Sequence, residues 1–174
     1  ALLITPFVRL YTRGIVDTEY NQPLFGFLLV LSEALYLVKL PHLNLAYSAN
    51  KFKEITVPAY IEATLNIVIS VALVKKLGLI GVTIGTIVGM TYRMVFHVYY
   101  TSKIVPGRAQ RIFYRKLFLF AVGAGAGFAL CYKLLPLQNV TVGSWIVHAI
   151  FYCVVIGSIL LAISVLFFQN EMKF

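Results

Sequence analysis

The chain contains five separate stretches of mostly apolar residues, each close to the length that a helix needs to cross a bilayer. A spanning helix takes about 20 such residues, because each residue advances the helix by only ~1.5 Å. The stretches cover residues 23–48, 58–74, 82–100, 117–134 and 145–168. Residues 1–10 are apolar but too short to span, so we interpret them as the end of a further helix. The predicted fold is all-α, a polytopic integral membrane helix bundle.

The composition excludes a water-soluble domain of this length. Hydrophobic residues occupy 60% of the 174 positions and charged residues only 12%, whereas soluble domains are about 45–50% apolar and about 25% charged. A soluble fold of this size cannot bury so much apolar surface, so lipid has to cover the excess. We therefore predict one transmembrane bundle over residues 1–174, with membrane lipids as its surroundings.

The excess of positive charge, +9 overall, predicts an orientation rather than a nucleic-acid partner. The basic residues are spread between apolar runs and form no continuous face that could follow phosphates. Loops 49–57, 101–116 and 169–174 hold eight of them, and loops 11–22, 75–81 and 133–143 hold four. Basic loops are retained on the cytoplasmic side. The prediction is a multi-pass protein of the cytoplasmic (inner) membrane with its C-terminus in the cytoplasm.

Glycines and prolines indicate how the spans pack and bend. Small residues allow helices to approach closely in lipid, and two groups of glycines favour such packing within the bundle. These are Gly81, Gly85 and Gly89 in one span and Gly123, Gly125 and Gly127 in another. Pro41 predicts a kink, and Pro58 is expected in a first helical turn. The polar residues after Pro41 are expected at the interface or beside water: His42, Asn44, Tyr47, Ser48 and Asn50.

Polar residues within the spans are the candidate functional residues, because a charge at the bilayer centre costs ~2.5–3.5 kcal/mol even on the mildest scale. Glu62, Asn66 and Ser70 are spaced to form a stripe on one helix face. Thr86, Arg93, His97 and Tyr100 form a second stripe on the span whose glycines allow close contact. Together with Glu33, we expect a polar cavity made of five residues: Arg93, Glu62, Asn66, Glu33 and His97.

Each of these residues also has a structural interpretation. Glu62 either stays at the interface or faces a water-filled pathway, and both remain open. For Arg93 we favour a functional or paired role, because it lies too deep to reach the interface easily. His97 and His148 are expected to pack rather than to bind metal. Lys39 lies near the opposite face from Glu33, so a direct pair between them is not expected.

No catalytic constellation, metal cluster or cofactor motif is recognisable, so the chain is not expected to be an enzyme. Cys131 and Cys153 lie in apolar runs without Cys-x-x-Cys spacing, and we interpret both as buried apolar residues. Charged residues inside a helix bundle are typical of a pathway for a polar substrate. These residues therefore indicate a transporter or channel-like membrane protein.

Three runs of sequence resemble the C-terminal half of bacterial polysaccharide flippases, of the multidrug/oligosaccharidyl-lipid/polysaccharide exporter superfamily. They are Asn50-Lys-Phe-Lys-Glu-Ile, Pro58-Ala-Tyr-Ile-Glu-Ala-Thr-Leu-Asn-Ile-Val-Ile-Ser70 and Lys76-Leu-Gly-Leu-Ile-Gly-Val-Thr-Ile-Gly-Thr86. The upstream residues 6–20 also fit the pattern of that family, and beyond Ile104 only the helix spacing agrees. The resemblance thus covers most of residues 1–105.

The resemblance implies an architecture and a substrate. Family members have two pseudo-symmetric bundles, together about twelve helices, that rock about a central cavity in alternating access. They move undecaprenyl-pyrophosphate-linked oligosaccharide repeat units from the cytoplasmic to the outer leaflet. This chain would supply the second bundle, and the implied partners are the lipid-linked oligosaccharide and an N-terminal bundle that the chain lacks. Arg93 would help to shelter the anionic head of the substrate.

Two alternatives remain open. One is another exporter of the same superfamily that moves drugs or a peptidoglycan precursor. The other is a membrane enzyme of lipid-linked sugar metabolism, which would need a long outer loop with paired His, Asp or Arg. The predicted loops are short, which disfavours the enzyme.

Overall fold

The computed structural model describes residues 2–13, 22–105, 110–134 and 141–168, and these residues form helices and turns without any strand. The helices are α1 (Ile4–Tyr11), α2 (Pro23–Ser48), α3 (Phe52–Leu77), α4 (Leu79–Ile104), α5 (Gln110–Leu134) and α6 (Val142–Phe168). Five of them, α2 to α6, are long and apolar enough to cross a membrane. The predicted all-α fold is confirmed, and the chain is a multi-pass membrane protein.

The helices extend beyond the predicted apolar runs at several ends. The bounds of α2 agree with the prediction, but α3 begins at Phe52, so Pro58 is its seventh residue. The expectation that Pro58 opens a helix is therefore wrong. Residues 52–57 can all form a helical turn, and the helix loses only the one hydrogen bond that Pro58 cannot donate. Pro41 likewise lies inside α2, which continues to Ser48.

The connections between spans are shorter than the predicted loops. Gly78 alone separates α3 from α4, with φ +56° and ψ −133°, a conformation that glycine adopts without a Cβ clash. Asn50, at φ +57°, lies in the turn between α2 and α3, and asparagine is one of the few other residues that tolerate such a φ. Of the predicted loop 101–116, only residues 106–109 lie outside the described residues, and the described ends of that loop belong mainly to α4 and α5.

The described helices fall into two compact units. Unit 1 contains α2, α3 and α4, and unit 2 contains α1, α5 and α6. Each unit buries its own apolar and small residues. The assignment of residues 1–174 to a single bundle stays a prediction.

In unit 1, α4 packs against both α2 and α3. The glycines of α4 form a groove for α3: a Cβ at Gly81 would come within 2.7 Å of the Leu73 carbonyl carbon, and one at Gly89 within 2.9 Å of the Glu62 carbonyl oxygen. Only glycine allows the two backbones to lie so close. Packing within the bundle, as predicted for these glycines, is confirmed. Nearer the other end of α4, Leu43, Ala46 and Ile55 form a small apolar core with Tyr100 and Ile104.

In unit 2, α5 packs against α6 and α1 packs against the start of α6. A Cβ at Gly127 would come within 3.1 Å of Ile156 on α6, whereas a Cβ at Gly125 would meet nothing within 4 Å. Trp145, near the start of α6, donates a hydrogen bond from Nε1 to the Leu3 carbonyl at 3.1 Å, and its ring lies 5.5 Å from that of Phe7. The indole therefore ties the beginning of α6 to the short helix α1.

The two cysteines have different environments. Cys131 is buried, as predicted, but Cys153 is exposed on α6. The prediction for Cys153 is wrong because an apolar run does not distinguish a side chain that faces other helices from one that faces lipid. Both thiols are free.

Candidate functional site

Three charged side chains from three different helices meet inside unit 1. Lys39 Nζ on α2 lies 3.3 Å from Glu62 Oε1 on α3, and Arg93 Nη1 on α4 forms an ion pair with the other carboxylate oxygen, Glu62 Oε2. The Lys39 side chain is 4% exposed, and those of Glu62 and Arg93 are each 16% exposed. We call Lys39, Glu62 and Arg93 the ion cluster.

The ion cluster lies near the middle of the spans. Glu62 is the eleventh residue of α3, about 15 Å along the helix from Phe52. Arg93 lies eleven residues before the end of α4, about 16 Å from Ile104, and Lys39 lies about 14 Å from the end of α2. These depths agree because consecutive helices run antiparallel, and each is about half of a ~30 Å hydrocarbon core. Glu62 therefore lies deeper in its helix than a start at Pro58 implied, and this depth favours the buried over the interfacial interpretation.

The ion cluster contains two cations and one carboxylate, so it has an excess of positive charge. Each carboxylate oxygen of Glu62 has its own cationic partner, which lowers the cost of removing the three charges from water. One positive charge is still not balanced within the cluster. A site of this kind attracts an anion.

A hydrogen-bond network continues from Arg93 along α4. Arg93 Nε donates to Nε2 of His97 at 3.4 Å, and the His97 side chain is fully buried. Because Nε2 accepts this bond, the proton of the neutral ring is on Nδ1. This Nδ1 has no hydrogen-bond partner among the described residues. His97 is thus a buried side chain that packs within unit 1 and accepts a hydrogen bond from Arg93.

Further along α4, Thr101 connects the network to α2. Its hydroxyl donates to the His97 carbonyl at 2.8 Å and accepts a hydrogen bond from His42 Nδ1, also at 2.8 Å. His42 is only 2% exposed. His42 is therefore buried against Thr101 rather than beside water, contrary to the expectation. Other polar residues of that segment, such as Asn44 and Ser48, are exposed as expected.

Asn66 joins the two predicted polar stripes one turn away from Glu62. Its Oδ1 accepts hydrogen bonds from Ser70 at 3.0 Å and from Thr86 at 3.5 Å. The stripe on α3 therefore faces the stripe on α4, over the groove formed by Gly85 and Gly89. Of the residues predicted for a polar cavity, Glu62, Arg93 and His97 are linked by polar contacts, whereas Asn66 contacts Ser70 and Thr86 instead.

Glu33 does not belong to this group. It is exposed on α2, and no ion pair to it occurs within the described part of the chain. Lys39, as expected, does not pair with Glu33, but its role in the ion cluster was missed. The sequence did contain a signal for this role, because Lys39 is a single lysine within an apolar span at the same depth as Glu62. A search for charge pairs along one helix does not detect a pair between two helices.

A cavity of about 360 Å³ lies beside the ion cluster and is open to the outside of unit 1. It is lined by side chains from the end of α2 and the first turns of α3, and Arg93 is the one charged residue of the lining. The lining residues are Tyr47, Phe52, Ile55, Thr56, Ala59, Tyr60 and Arg93. Arg93 therefore faces both the buried carboxylate and an accessible space.

No group of three or more His, Cys, Asp or Glu side chains that could hold a metal ion occurs in the described ranges. His148, for which packing was predicted, bonds the Ser144 carbonyl through Nδ1 at 2.7 Å and contacts the Tyr152 ring edge-on. A packing role for His148 is confirmed.

Comparison with family models, with curated proteins and with solved structures found no match to this chain.

Proposed function

We propose that the chain is the second helical bundle of an exporter that moves undecaprenyl-pyrophosphate-linked oligosaccharides across the cytoplasmic membrane. The observation that carries this proposal is the ion cluster, which keeps an unbalanced positive charge in the middle of the spans and beside an open cavity. Such a site suits an anionic group that cannot cross hydrocarbon by itself. The sequence resemblance supplies the identity of the substrate.

The arrangement around Arg93 suits a pyrophosphate. Arg93 donates to Glu62 through Nη1 and to His97 through Nε, so two protein contacts hold the guanidinium in place. Its third nitrogen, Nη2, has no hydrogen-bond partner among the described residues. Arg93 lines the cavity, so Nη2 is the nitrogen left to bind a ligand there. Arginine binds phosphate oxygens with fixed geometry, and a held guanidinium loses less entropy when it binds. Arg93 would bind the pyrophosphate, and Lys39 would add positive potential behind it.

Glu33 supports the presence of a second bundle or an aqueous cavity. It is exposed on α2 and lies about 15 Å along the helix from Pro23. Hydrocarbon does not accommodate a carboxylate at that depth, so this face of α2 has to meet water or another polypeptide. Alternating access between two bundles provides both.

The test is complementation of a bacterial strain that lacks its polysaccharide flippase. The chain, joined to the preceding bundle that the proposal requires, should restore surface polysaccharide, whereas the chain alone should insert without restoring it. Restoration by the chain alone would contradict the two-bundle mechanism. Translocation of a drug or of peptidoglycan precursor in place of the oligosaccharide would identify another exporter of the superfamily.

A further inference from the structure

The cavity beside Arg93 has an aromatic wall that the ion cluster does not explain. Tyr47 and Phe52, on either side of the turn between α2 and α3, have ring centroids 5.7 Å apart and planes inclined by 32°. Tyr60 lies two turns further along α3 on the same lining. These large side chains remain 43%, 52% and 71% exposed, so the described residues leave much of each ring uncovered. Exposed rings grouped around a cavity are typical of a binding site rather than a core.

The other lining residues define which chemistry the cavity accepts. Arg93 supplies the only charge, and it is positive. Thr56 donates its hydroxyl proton to the Phe52 carbonyl at 2.7 Å, which leaves its oxygen able to accept a hydrogen bond. The hydroxyl groups of Tyr47 and Tyr60 add further donors and acceptors. The volume of about 360 Å³ lies within the usual range for small-molecule sites, ~300–1,000 Å³.

We propose that this cavity binds a sugar ring that is attached to a phosphate, with the ring against the aromatic wall of Tyr47 and Phe52 and the phosphate at Arg93. A pyranose has a face of C–H groups, which suits an aromatic ring, and an edge of hydroxyl groups, which suits Thr56 and the tyrosines. A plain aromatic or aliphatic anion would make no hydrogen bonds to the hydroxyl groups of Thr56 and the tyrosines. The inference rests on the proposed function and assigns the first sugar of the substrate to specific residues.

The position of the cavity explains why the sugar would be the part recognised here. Its wall begins at the turn between α2 and α3, and Arg93 lies about 16 Å from the end of α4. A phosphate held at Arg93 is therefore near the middle of the spans, and the group attached to it reaches toward the turn, which Lys51 and Lys53 keep basic. The lipid tail would extend away from the aromatic wall.

The experiment compares two probes, with and without a sugar on the terminal phosphate. The sugar also removes one ionisable oxygen, so attraction to Arg93 alone would favour the sugar-free probe. The chain is reconstituted in nanodiscs, and binding of farnesyl pyrophosphate and of farnesyl-pyrophosphoryl-N-acetylglucosamine is measured by calorimetry. We expect the sugar-bearing probe to bind about tenfold more tightly, the equivalent of one favourable ring contact. Phe52→Ala, and also Phe52→Leu, should reduce this ratio to near one. Both variants should lower the affinity for the sugar-bearing probe by a larger factor than the affinity for farnesyl pyrophosphate.

Phe27→Ala is the matched control, because Phe27 also lies in unit 1 and is 47% exposed but does not line the cavity. It should keep the wild-type ratio. Equal binding of both probes by the wild type, or a tenfold preference that survives Phe52→Ala and Tyr47→Ala, would overturn the sugar assignment and leave the proposed function intact. Failure of the wild type to bind either probe would count against the proposed function itself.

Discussion

The removal of Arg93 should affect ligand binding more than folding, because the rest of the ion cluster stays neutral overall without it. Without Arg93, Lys39 and Glu62 remain as a balanced ion pair at 3.3 Å. Without Glu62, two cations remain near each other in a buried region. The two substitutions therefore separate the binding role of the ion cluster from its structural role.

We expect Arg93→Ala to weaken binding of farnesyl pyrophosphate to the reconstituted chain by about 10- to 100-fold, because a charge-assisted hydrogen bond contributes roughly 1.5–3 kcal/mol. Arg93→Lys should recover only part of the affinity, since lysine lacks the planar fork of donors. The amount of folded protein recovered from the membrane should stay near wild type. Wild-type affinity in a well-expressed Arg93→Ala protein would show that Arg93 does not contribute to binding.

Glu62→Gln should destabilise unit 1 by about 3–5 kcal/mol, because it leaves Lys39 and Arg93 without their counter-charge. The measurement is the loss of monodisperse protein on heating in detergent. The control is the triple variant Lys39→Met, Glu62→Leu, Arg93→Met, which removes all three charges. It should regain most of the lost stability, but it should not bind pyrophosphate. A Glu62→Gln protein as stable as wild type would show that the charges are solvated.

The sequence predicted part of this site and missed the rest for a physical reason. Helical spacing brings Glu62 and Asn66 to one face of α3. It likewise brings Arg93 and His97 to one face of α4, and the glycines of α4 indicate that the two helices pack closely. Lys39 belongs to a third helix, and periodicity within a helix does not determine which face of another helix it meets. The same gap explains His42, whose partner Thr101 is 59 residues away.

At the scale of the helices, the glycine groove of α4 sets the distance between α3, which carries Glu62, and α4, which carries Arg93. Gly89 lies under the Glu62 backbone, and Gly85 lies under Asn66 and Ser70. A side chain at either position would move α3 outward. The carboxylate would then be displaced from Arg93, so close packing and ion pairing depend on each other.

Gly89→Ala should therefore lower both the thermal stability of the chain and its affinity for farnesyl pyrophosphate, because the new Cβ would lie 2.9 Å from the Glu62 carbonyl oxygen. Gly125→Ala is the matched control: it is also a glycine inside a spanning helix, but nothing lies within 4 Å of the added Cβ. Alanine favours a helix over glycine by about 1 kcal/mol. The control should be neutral or stabilising, and equal losses in both variants would contradict the groove.

The number and type of helices followed from the apolar runs, but their ends did not. A run shows which residues lipid or other helices will accept, whereas a helix continues for as long as its backbone can form hydrogen bonds. This is why α3 begins six residues before Pro58 and why the connection to α4 shrinks to Gly78. The error at Pro58 placed Glu62 only four residues from a helix start, which is why an interfacial position stayed open for it.

At the scale of the whole molecule, the uneven distribution of basic residues predicts the orientation. A cysteine introduced at Ala109 should be protected from an impermeant thiol reagent in intact cells, and one at Gln138 should react, in a variant without Cys131 and Cys153. Both labelling positions lie outside the described residues. Labelling at Ala109 but not at Gln138 would reverse the predicted topology.

The membrane class of the whole molecule followed from composition alone, whereas the grouping of its helices did not. The apolar runs are alike in length and hydropathy, so they do not indicate that α2, α3 and α4 pack together while α1, α5 and α6 form another unit. Which helices pack together depends on whether the small and polar residues on one helix face lie opposite those on another. Gly81 to Gly89 provide this for unit 1, and Gly123 and Gly127 provide it for unit 2.

Trp145 is the only tryptophan of the chain, so all indole fluorescence originates from the first turn of α6. Its Nε1 is bonded to Leu3 and its ring packs on Phe7, and therefore undocking of α1 should shift the emission maximum and raise quenching by acrylamide. The ion cluster is in the other unit, without any indole. One optical signal thus follows the melting of unit 2 separately, while ligand binding reports on unit 1 in the same sample.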